Sequence, residues 1–286
     1  MFCDAHCHPC DLFLSFPHAG QETENKLILR TDIGVIAAAS AWNPDEFAYN
    51  EELAHNADGV GKADRISGFH FIQCFAVHPQ LPAGFSKKGR SYSEADLISS
   101  MEFLCSLAEE KKIAAVGETG FDLFNDLFRE TETIQEKIFS AHLEAALNYG
   151  LPVVIHVRRA MHKIFSSVNT LSKCKAVIFH SWPGTCEEAA SLLRRGVNSY
   201  FSFGNAVMLN HKQAIRSCAL LPADRILTET DAPYQPRRGR EFSYWTDIPL
   251  ILETAASLRC EAGSDIDAID LESQIEINFK NAFGLN

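Results

Sequence analysis

Short apolar runs alternate with longer amphipathic stretches along this chain. Eight such runs are rich in Val, Ile, Phe and Ala, and several are apolar on both faces. Strands buried on both faces belong to parallel sheets that are covered by helices. The runs span residues 2–5, 34–41, 68–77, 113–116, 152–155, 175–179, 198–202 and 225–228.

The stretches between these runs carry helix start and stop signals. Thr133 begins a capping-box pattern, and Gly150 is expected to end that helix. Ser93 is expected to open a second helix, and residues 185–195 predict a third that Gly196 closes.

Eight strands that alternate with helices predict a (β/α)₈ TIM barrel of the α/β class. A doubly wound open sheet is the alternative fold. Residues 82–93 and 236–240 are predicted surface loops, and no linker or internal repeat interrupts the chain. We therefore expect a single domain over residues 1–286.

Composition and charge narrow the class of protein. Hydrophobic residues make up 46% and charged residues 22%, which is typical of a folded globular chain. No apolar run is long enough to span a bilayer, and the N-terminus carries no secretory signal pattern, so we expect a cytoplasmic protein whose nine cysteines are reduced. The net charge of −11 disfavours non-specific duplex binding and favours short or single-stranded nucleic-acid contacts.

Histidines and carboxylates collect at the predicted strand ends, where a barrel places its catalytic groups. Residues i and i+2 of a strand point to the same side, so His6 and His8 are expected to converge. Imidazole and carboxylate ligands together suit a divalent first-row metal ion, and six donors suffice for two ions that share a carboxylate. Glu118 is the candidate bridge. The predicted ligands are His6, His8, Glu118, His156, His180 and Asp231.

Other titratable residues keep a plainer interpretation. Glu229 is either a further ligand or a structural carboxylate beside Asp231. His70 and His142 are expected to be packed or surface histidines, without a role as ligands. The remaining histidines fall in loops or helical patterns and are expected to be solvated: His18, His55, His162 and His211.

The ordered motif set resembles the TatD family of metal-dependent deoxyribonucleases, within the amidohydrolase-like superfamily. The resemblance extends from residue 2 to about residue 284. It rests on DAHCH (4–8), AVHP (76–79), VGETGFD (116–122), LPVVIHVR (151–158), FH (179–180) with Gly184, TETDAPY (228–234), and NF (278–279) with Phe283 in a closing helix. Departures from the family pattern fall at Pro9, Arg159, Trp182 and residues 246–249, and none is a predicted ligand.

The resemblance implies a TIM barrel with a two-metal centre. One ion would be held by His6, His8, Glu118 and Asp231, and the other by Glu118, His156 and His180. His78 would lie beside the substrate. Family members are described as 3′–5′ exonucleases that act on DNA, often single-stranded, and sometimes on RNA, with Mg²⁺, Mn²⁺ or Zn²⁺ at the site.

The expected reaction is hydrolysis of a phosphodiester by water that two divalent ions activate. Asp231 would be the general base, with Glu118 and His78 as the other catalytic residues. Arg158 either holds a phosphate oxygen or forms a surface ion pair. Tyr234 and Phe121 could stack a base, although core packing is favoured for Phe121.

Three functions remain open from the sequence. The first is a nuclease with DNA, and possibly RNA, as its partner, and with no membrane or obligatory protein partner. The second is a related hydrolase of an ester, amide or lactone, such as an aminoacyl-tRNA deacylase. The third is a barrel that binds without catalysis. The basic run Arg237, Arg238 and Arg240 is either a phosphate-tracking lip or a solvated charge run.

Overall fold

Eight parallel strands form one sheet in chain order. The computed structural model describes residues 1–19, 34–57, 69–84 and 93–285. The strands are β1 (Phe2–Cys7), β2 (Val35–Ala41), β3 (Phe69–Phe75), β4 (Ala115–Asp122), β5 (Val153–Arg158), β6 (Val177–Phe179), β7 (Ser199–Phe203) and β8 (Ile226–Thr228).

The last strand returns to the first and closes the sheet. The Asp231 amide donates to the His6 carbonyl oxygen at 2.9 Å, and the His8 amide donates to that of Ala232 at 2.7 Å. Lower in the barrel, the Thr228 hydroxyl donates to the Cys3 carbonyl at 2.6 Å. The predicted (β/α)₈ barrel is therefore confirmed, and the doubly wound open sheet is wrong.

The helices surround the barrel and bury their apolar faces on its outer wall. None of the helices in the described ranges is long and apolar enough to cross a membrane. They are α1 (Pro9–Ser15), α2 (Pro44–Ala57), α3 (Glu94–Glu109), α4 (Asp126–Arg129), α5 (Glu132–Tyr149), α6 (Met161–Ser166), α7 (Val168–Leu171), α8 (Cys186–Arg194), α9 (Lys212–Leu220), α10 (Asp247–Glu261) and α11 (Ala268–Phe283).

Two predicted helix starts are confirmed and one is wrong. Ser93 and Thr185 each accept a hydrogen bond from the backbone of the third helical residue, which closes a capping box. The helix predicted to start at Thr133 instead has Thr131 as its N-cap, without a side-chain cap. Gly150 ends it in the left-handed conformation, as predicted.

β4 and β5 run further than their apolar runs indicate. The predictions ended at residues 116 and 155, because the positions that follow carry polar side chains facing the barrel interior. β4 continues to Asp122, and Gly120 permits this with φ +136°. A Cβ at Gly120 would collide with the His156 carbonyl of β5, so a glycine is needed for the two strands to approach.

The C-terminal helix α11 closes the end of the barrel opposite the site. Phe279 and Phe283 are buried, and Asn278 Nδ2 donates to the Ile226 carbonyl at 2.8 Å. This matches the expected closing helix. Residues 236–240 form an irregular surface segment as predicted, whereas most of the predicted 82–93 loop lies outside the described residues.

Candidate metal centre

All six predicted ligands meet at the carboxyl end of the barrel. Each is placed by its own strand or by the residues that follow that strand, and all six are buried or partly buried. β1 and its end supply His6 and His8, β4 Glu118, β5 His156, the end of β6 His180, and the segment after β8 Asp231.

Glu118 lies at the centre, and its two oxygens face different histidines. Oε2 is 3.2 Å from His6 Nε2 and 3.5 Å from His8 Nε2. Oε1 is 2.8 Å from His156 Nδ1 and 3.6 Å from His180 Nε2. This division of one carboxylate between two donor sets is what a bridge between two ions requires.

Asp231 completes the donors around the first set. Its Oδ1 lies 3.8 Å from His6 Nε2 and 3.6 Å from His8 Nε2, and those two nitrogens are 3.0 Å apart. Asp231 adopts φ +55°, an uncommon conformation for a residue other than glycine. The chain therefore turns sharply at the residue that brings this carboxylate over the barrel mouth.

Outer partners fix the direction of two imidazoles. His6 Nδ1 lies 3.2 Å from Ser40 Oγ, which leaves Nε2 facing Glu118. His180 Nδ1 lies 3.2 Å from the Glu229 carboxylate, and Glu229 also accepts hydrogen bonds from the Ser181 amide and hydroxyl. Of the two roles considered for Glu229, the geometry favours a buried carboxylate that orients a histidine.

His78 has a different hydrogen-bonding pattern from the other histidines of the site. The backbone N–H of Gln80 donates to His78 Nδ1 at 3.2 Å, so a neutral His78 ring carries its proton on Nε2. That nitrogen lies 3.4 Å from Glu118 Oε1. His78 is therefore arranged as a hydrogen-bond donor at the site, which agrees with a position beside the substrate.

Asp122 belongs to the site, although it is not among the predicted site residues. Its Oδ2 lies 3.2 Å from His156 Nε2 and accepts a hydrogen bond from Gln80 Nε2 at 2.7 Å. Asp122 lies four residues after Glu118 on β4, so both side chains point to the interior. If β4 is extended past its apolar run, the four-residue spacing from Glu118 predicts that Asp122 also faces the site.

The chain matches the family model described as TatD related DNase over residues 3–284. The 3′-5′ ssDNA/RNA exonuclease TatD of Klebsiella pneumoniae (strain 342) is 30% identical over 283 residues, covering 89% of this chain and 98% of that protein. The protein of the same name from Pantoea ananatis is 30% identical over 242 residues, which cover 80% of this chain and 85% of that protein.

The chain belongs to the TatD-related DNase family. It is accordingly a hydrolase of phosphodiester bonds. Among solved structures, a TatD homologue from Escherichia coli K12 has a TM-score of 0.76 at 22% identity and covers 100% of this chain and 98% of its own. A TatD family hydrolase from Entamoeba histolytica has a TM-score of 0.71 at 15% identity, covering 100% and 98%. At these identities the likeness shows the shared barrel.

The electrostatics of this TatD-family site centre on its carboxylates. Burial alone raises the pKa of a carboxyl group, but the imidazoles around Glu118, foremost His78, hold its pKa well below the ordinary value. Burial likewise disfavours a charged imidazole, yet hydrogen bonds to Asp122 and Glu118 raise the pKa of His156 to about 9. Glu118 is thus ionised, and positive charge beside it is strongly favoured.

The donor set fits divalent cations. Burial opposes a charge on His180, but the carboxylates of Glu229 and Asp231 raise its pKa to about 10. Without other cations, His156 and His180 thus hold protons that balance the carboxylates of the site. A divalent cation supplies the same charge through nitrogen and oxygen donors that already face one another, and metal binding at such sites displaces protons.

The residues predicted to contact substrate lie around this centre. Arg158 is exposed at the end of β5 and stacks on Phe124, without an ion pair to any described residue. The Tyr234 ring is 5.4 Å from that of His8, and its hydroxyl donates to Asp11 at 2.6 Å. Phe121 packs in the core against Phe139, as favoured.

The basic run, the other histidines and the cysteines have plain structural surroundings. Arg237 binds Asp247 at 2.5 Å, so this member of the basic run is held by a carboxylate. His142 is buried in a structural hydrogen-bond network, as expected. The histidines expected to be solvated are exposed. All nine cysteines are free, and most are buried.

Proposed function

We propose that this chain is a 3′–5′ exonuclease that removes nucleotides from single-stranded DNA and, as a second substrate, RNA. Two divalent cations, Mg²⁺, Mn²⁺ or Zn²⁺, would serve as its cofactors. The observation that carries the proposal is Glu118, whose two oxygens face separate sets of histidines. The names of the curated relatives, 3′-5′ ssDNA/RNA exonuclease, support the substrate.

We assign the ligands as the sequence predicted them. Glu118 would be shared between the two ions. His6, His8 and Asp231 would complete one ligand set, while His156 and His180 would complete the other. Cations bound there would lower the pKa of water and neutralise negative charge on the scissile phosphate.

The chain's own residues would bind the phosphodiester and move the proton. Asp231 Oδ1 faces the first ligand set, so this carboxylate would accept the proton of the attacking water. His78, with its proton on Nε2, would donate a hydrogen bond to a phosphate oxygen. Arg158 would hold a phosphate oxygen of a neighbouring nucleotide, and the Tyr234 ring would offer a face to a base.

The direct test is nucleotide release from a labelled single strand. The chelated protein is reloaded with Mg²⁺, Mn²⁺ or Zn²⁺ and given oligonucleotides labelled at either end. A 3′ label should appear first as mononucleotide, while a 5′ label should give a ladder that shortens with time. Absence of release with all three metals would refute the proposal.

Replacement of one ligand tests the metal assignment. His156→Ala should abolish activity with only a modest loss of thermal stability, because the strands remain paired. His162→Ala is the matched control, since that histidine is exposed on α6. Metal at about 100 times its Kd should stabilise the chelated wild type by about 2.7 kcal/mol, and stabilise His156→Ala less. Full activity in His156→Ala would show that the assignment is wrong.

A further inference from the structure

Two guanidinium groups stack on one aromatic ring at the mouth of the barrel. Arg158 Cζ lies 3.6 Å and Arg159 Cζ 4.5 Å from the centre of the Phe124 ring. Arg159 Nη1 also donates to the Phe124 carbonyl at 3.1 Å. We name these three residues the Arg–Phe–Arg cluster. Cation–π contacts of this kind restrict long side chains that would otherwise sample many rotamers.

The cluster adjoins the metal centre through the paired strands β4 and β5. Asp122 and Arg158 are register neighbours, and the Leu123 amide donates to the Arg158 carbonyl at 2.9 Å. Arg158 follows His156 by two residues, so both side chains leave the strand on the same side. The cluster therefore lies beside the His156 edge of the centre, on the face from which substrate must enter.

The backbone around the cluster is fixed by its neighbours. Asp122 Oδ1 accepts a hydrogen bond from the Phe124 amide at 2.9 Å. Arg159 has φ +55°, which turns the chain directly after β5 and returns this side chain towards Phe124. The same aspartate thus contacts His156 and orients the segment that carries the aromatic ring.

The positive charge of the cluster is not neutralised by a carboxylate of the described residues. Over residues 1–19, 34–57, 69–84 and 93–285, no carboxylate forms a salt bridge with Arg158 or Arg159, and both are exposed. Other described arginines do pair with acids: Arg129 with Asp126, Arg216 with Glu187, Arg225 with Asp224 and Arg237 with Asp247. In a protein of net charge −11, two guanidinium groups that are held together without an acidic partner among the described residues favour an anionic ligand.

We propose that the Arg–Phe–Arg cluster binds backbone phosphates of a single-stranded polynucleotide, on the nucleotides next to the scissile bond. The proposal rests on the proposed nuclease function and adds a subsite that a small phosphodiester cannot reach. Planar guanidinium groups bind phosphate oxygens bidentately, and Phe124 holds them in place before the strand arrives. The cluster thus selects polymers over single phosphodiesters.

Equilibrium binding tests the subsite independently of catalysis. A fluorescein-labelled single-stranded oligodeoxynucleotide is titrated in EDTA with wild type and the Arg158→Ala/Arg159→Ala variant, at several salt concentrations. We expect the double variant to bind at least tenfold more weakly. The slope of log affinity against log salt should become shallower by about 1.4, since each phosphate contact on a single strand contributes about 0.7.

Two further variants separate a ligand contact from a structural effect. Arg216→Ala removes one exposed arginine of α9, on the outer helical layer, and should bind like wild type. Arg158→Lys/Arg159→Lys keeps the charge without the planar fork, so it should recover most of the salt slope but only part of the affinity. Unfolding curves of all variants verify that the fold is retained.

Cleavage assays give the second readout. With metal present, the double alanine variant should lose at least ten times more kcat/KM on the oligonucleotide than on bis(p-nitrophenyl) phosphate. Equal losses on both substrates, wild-type affinity with an unchanged salt slope, or a wild type that does not bind the strand would each overturn the subsite. Binding that depends on the cluster, without cleavage under any metal, would keep the subsite and refute the nuclease.

Discussion

A single side-chain amide at the barrel rim contacts Asp231 and Ser181, on two sides of the candidate metal centre. Gln235 Nε2 donates to Asp231 Oδ2 at 2.8 Å and to Ser181 Oγ at 2.7 Å. Ser181 in turn donates to Glu229, which lies behind His180. One oxygen of Asp231 is thereby engaged, and the other is left facing His6 and His8.

Replacement of this amide should weaken metal binding. Gln235→Leu removes both hydrogen bonds, and we expect the Kd for Mn²⁺ to rise about 10- to 100-fold, as is usual for partners that orient metal ligands. Isothermal titration calorimetry, on protein from which a chelator has removed the metal, measures this Kd. Gln274→Leu, which removes an amide contact on α11 far from the site, is the control. An unchanged Kd in Gln235→Leu would mean that this amide does not position Asp231.

His142 is one residue outside the predicted ligands that makes stability depend on pH. It is fully buried, its Nε2 accepts the Val77 amide at 3.3 Å, and its Nδ1 is 2.6 Å from Thr119 Oγ1. Burial lowers the pKa of this imidazole to about 3. Below about pH 6.5 the imidazole of His142 therefore binds a proton in the unfolded chain but stays neutral in the folded chain.

This proton uptake predicts a loss of stability in acid. The contribution of His142 is complete above pH 6.5 and decreases by about 1.4 kcal/mol per unit as the pH falls towards 3. Between pH 7 and pH 5, wild type should lose about 2 kcal/mol more than His142→Asn, which lacks the group. Urea unfolding in EDTA at both values measures this difference. A pH-independent gap between the two proteins would contradict the prediction.

At the scale of elements, local capping chemistry predicts helix starts only when no neighbour competes. In the capping box of α8, the Glu188 amide donates to Thr185 Oγ1 at 3.0 Å, and the Thr185 amide donates to Glu188 Oε2 at 2.7 Å. The equivalent pattern at Thr133 lies inside α5, and its reciprocal residue, Glu136, instead accepts a hydrogen bond from Lys163 Nζ at 2.6 Å. The neighbouring Gln135 binds the Asp122 backbone and the Phe128 carbonyl, so the first turn of α5 is tied to β4 upstream of the predicted start.

The two threonines should differ in their contribution to stability. Thr185→Ala should lower the free energy of unfolding by about 1 kcal/mol, which is typical of an N-cap. Thr133→Ala should change it by less than about 0.5 kcal/mol, because that side chain is exposed within the helix. Urea unfolding compares them, and oligonucleotide cleavage should be unaffected in both. Equal losses of unfolding free energy in the two variants would mean that Thr133 contributes as much as an N-cap residue, against this prediction.

The strands were predictable in number and order, but three of them, β1, β4 and β5, continue at least two residues past their predicted ends. Apolar runs marked the buried part of each strand, since burial on both faces leaves a continuous hydrophobic pattern. β4 and β5 continue through Glu118, Asp122 and His156, because their inward positions face the candidate metal centre instead of the core. Polar residues of the site interrupt the hydrophobic pattern, so the pattern does not mark where these strands end.

At the scale of the whole molecule, closure of the barrel turns separate motifs into one centre. His6 and Asp231 are far apart in sequence, yet β1 and the segment after β8 are joined by backbone hydrogen bonds. Parallel strands that all end at one rim require their terminal side chains to meet there. The predicted ligands therefore converge without any local signal for their contacts.

The sequence by itself determined the alternation of strands and helices and the chemical types at the strand ends, because periodicity and side-chain chemistry are local properties. Only the tertiary structure decided which oxygen of Glu118 faces which imidazole, and that Gln235 contacts Asp231. It also placed Phe124 between two arginines. These contacts depend on strand register and on the direction of each loop, which are fixed when distant segments pack.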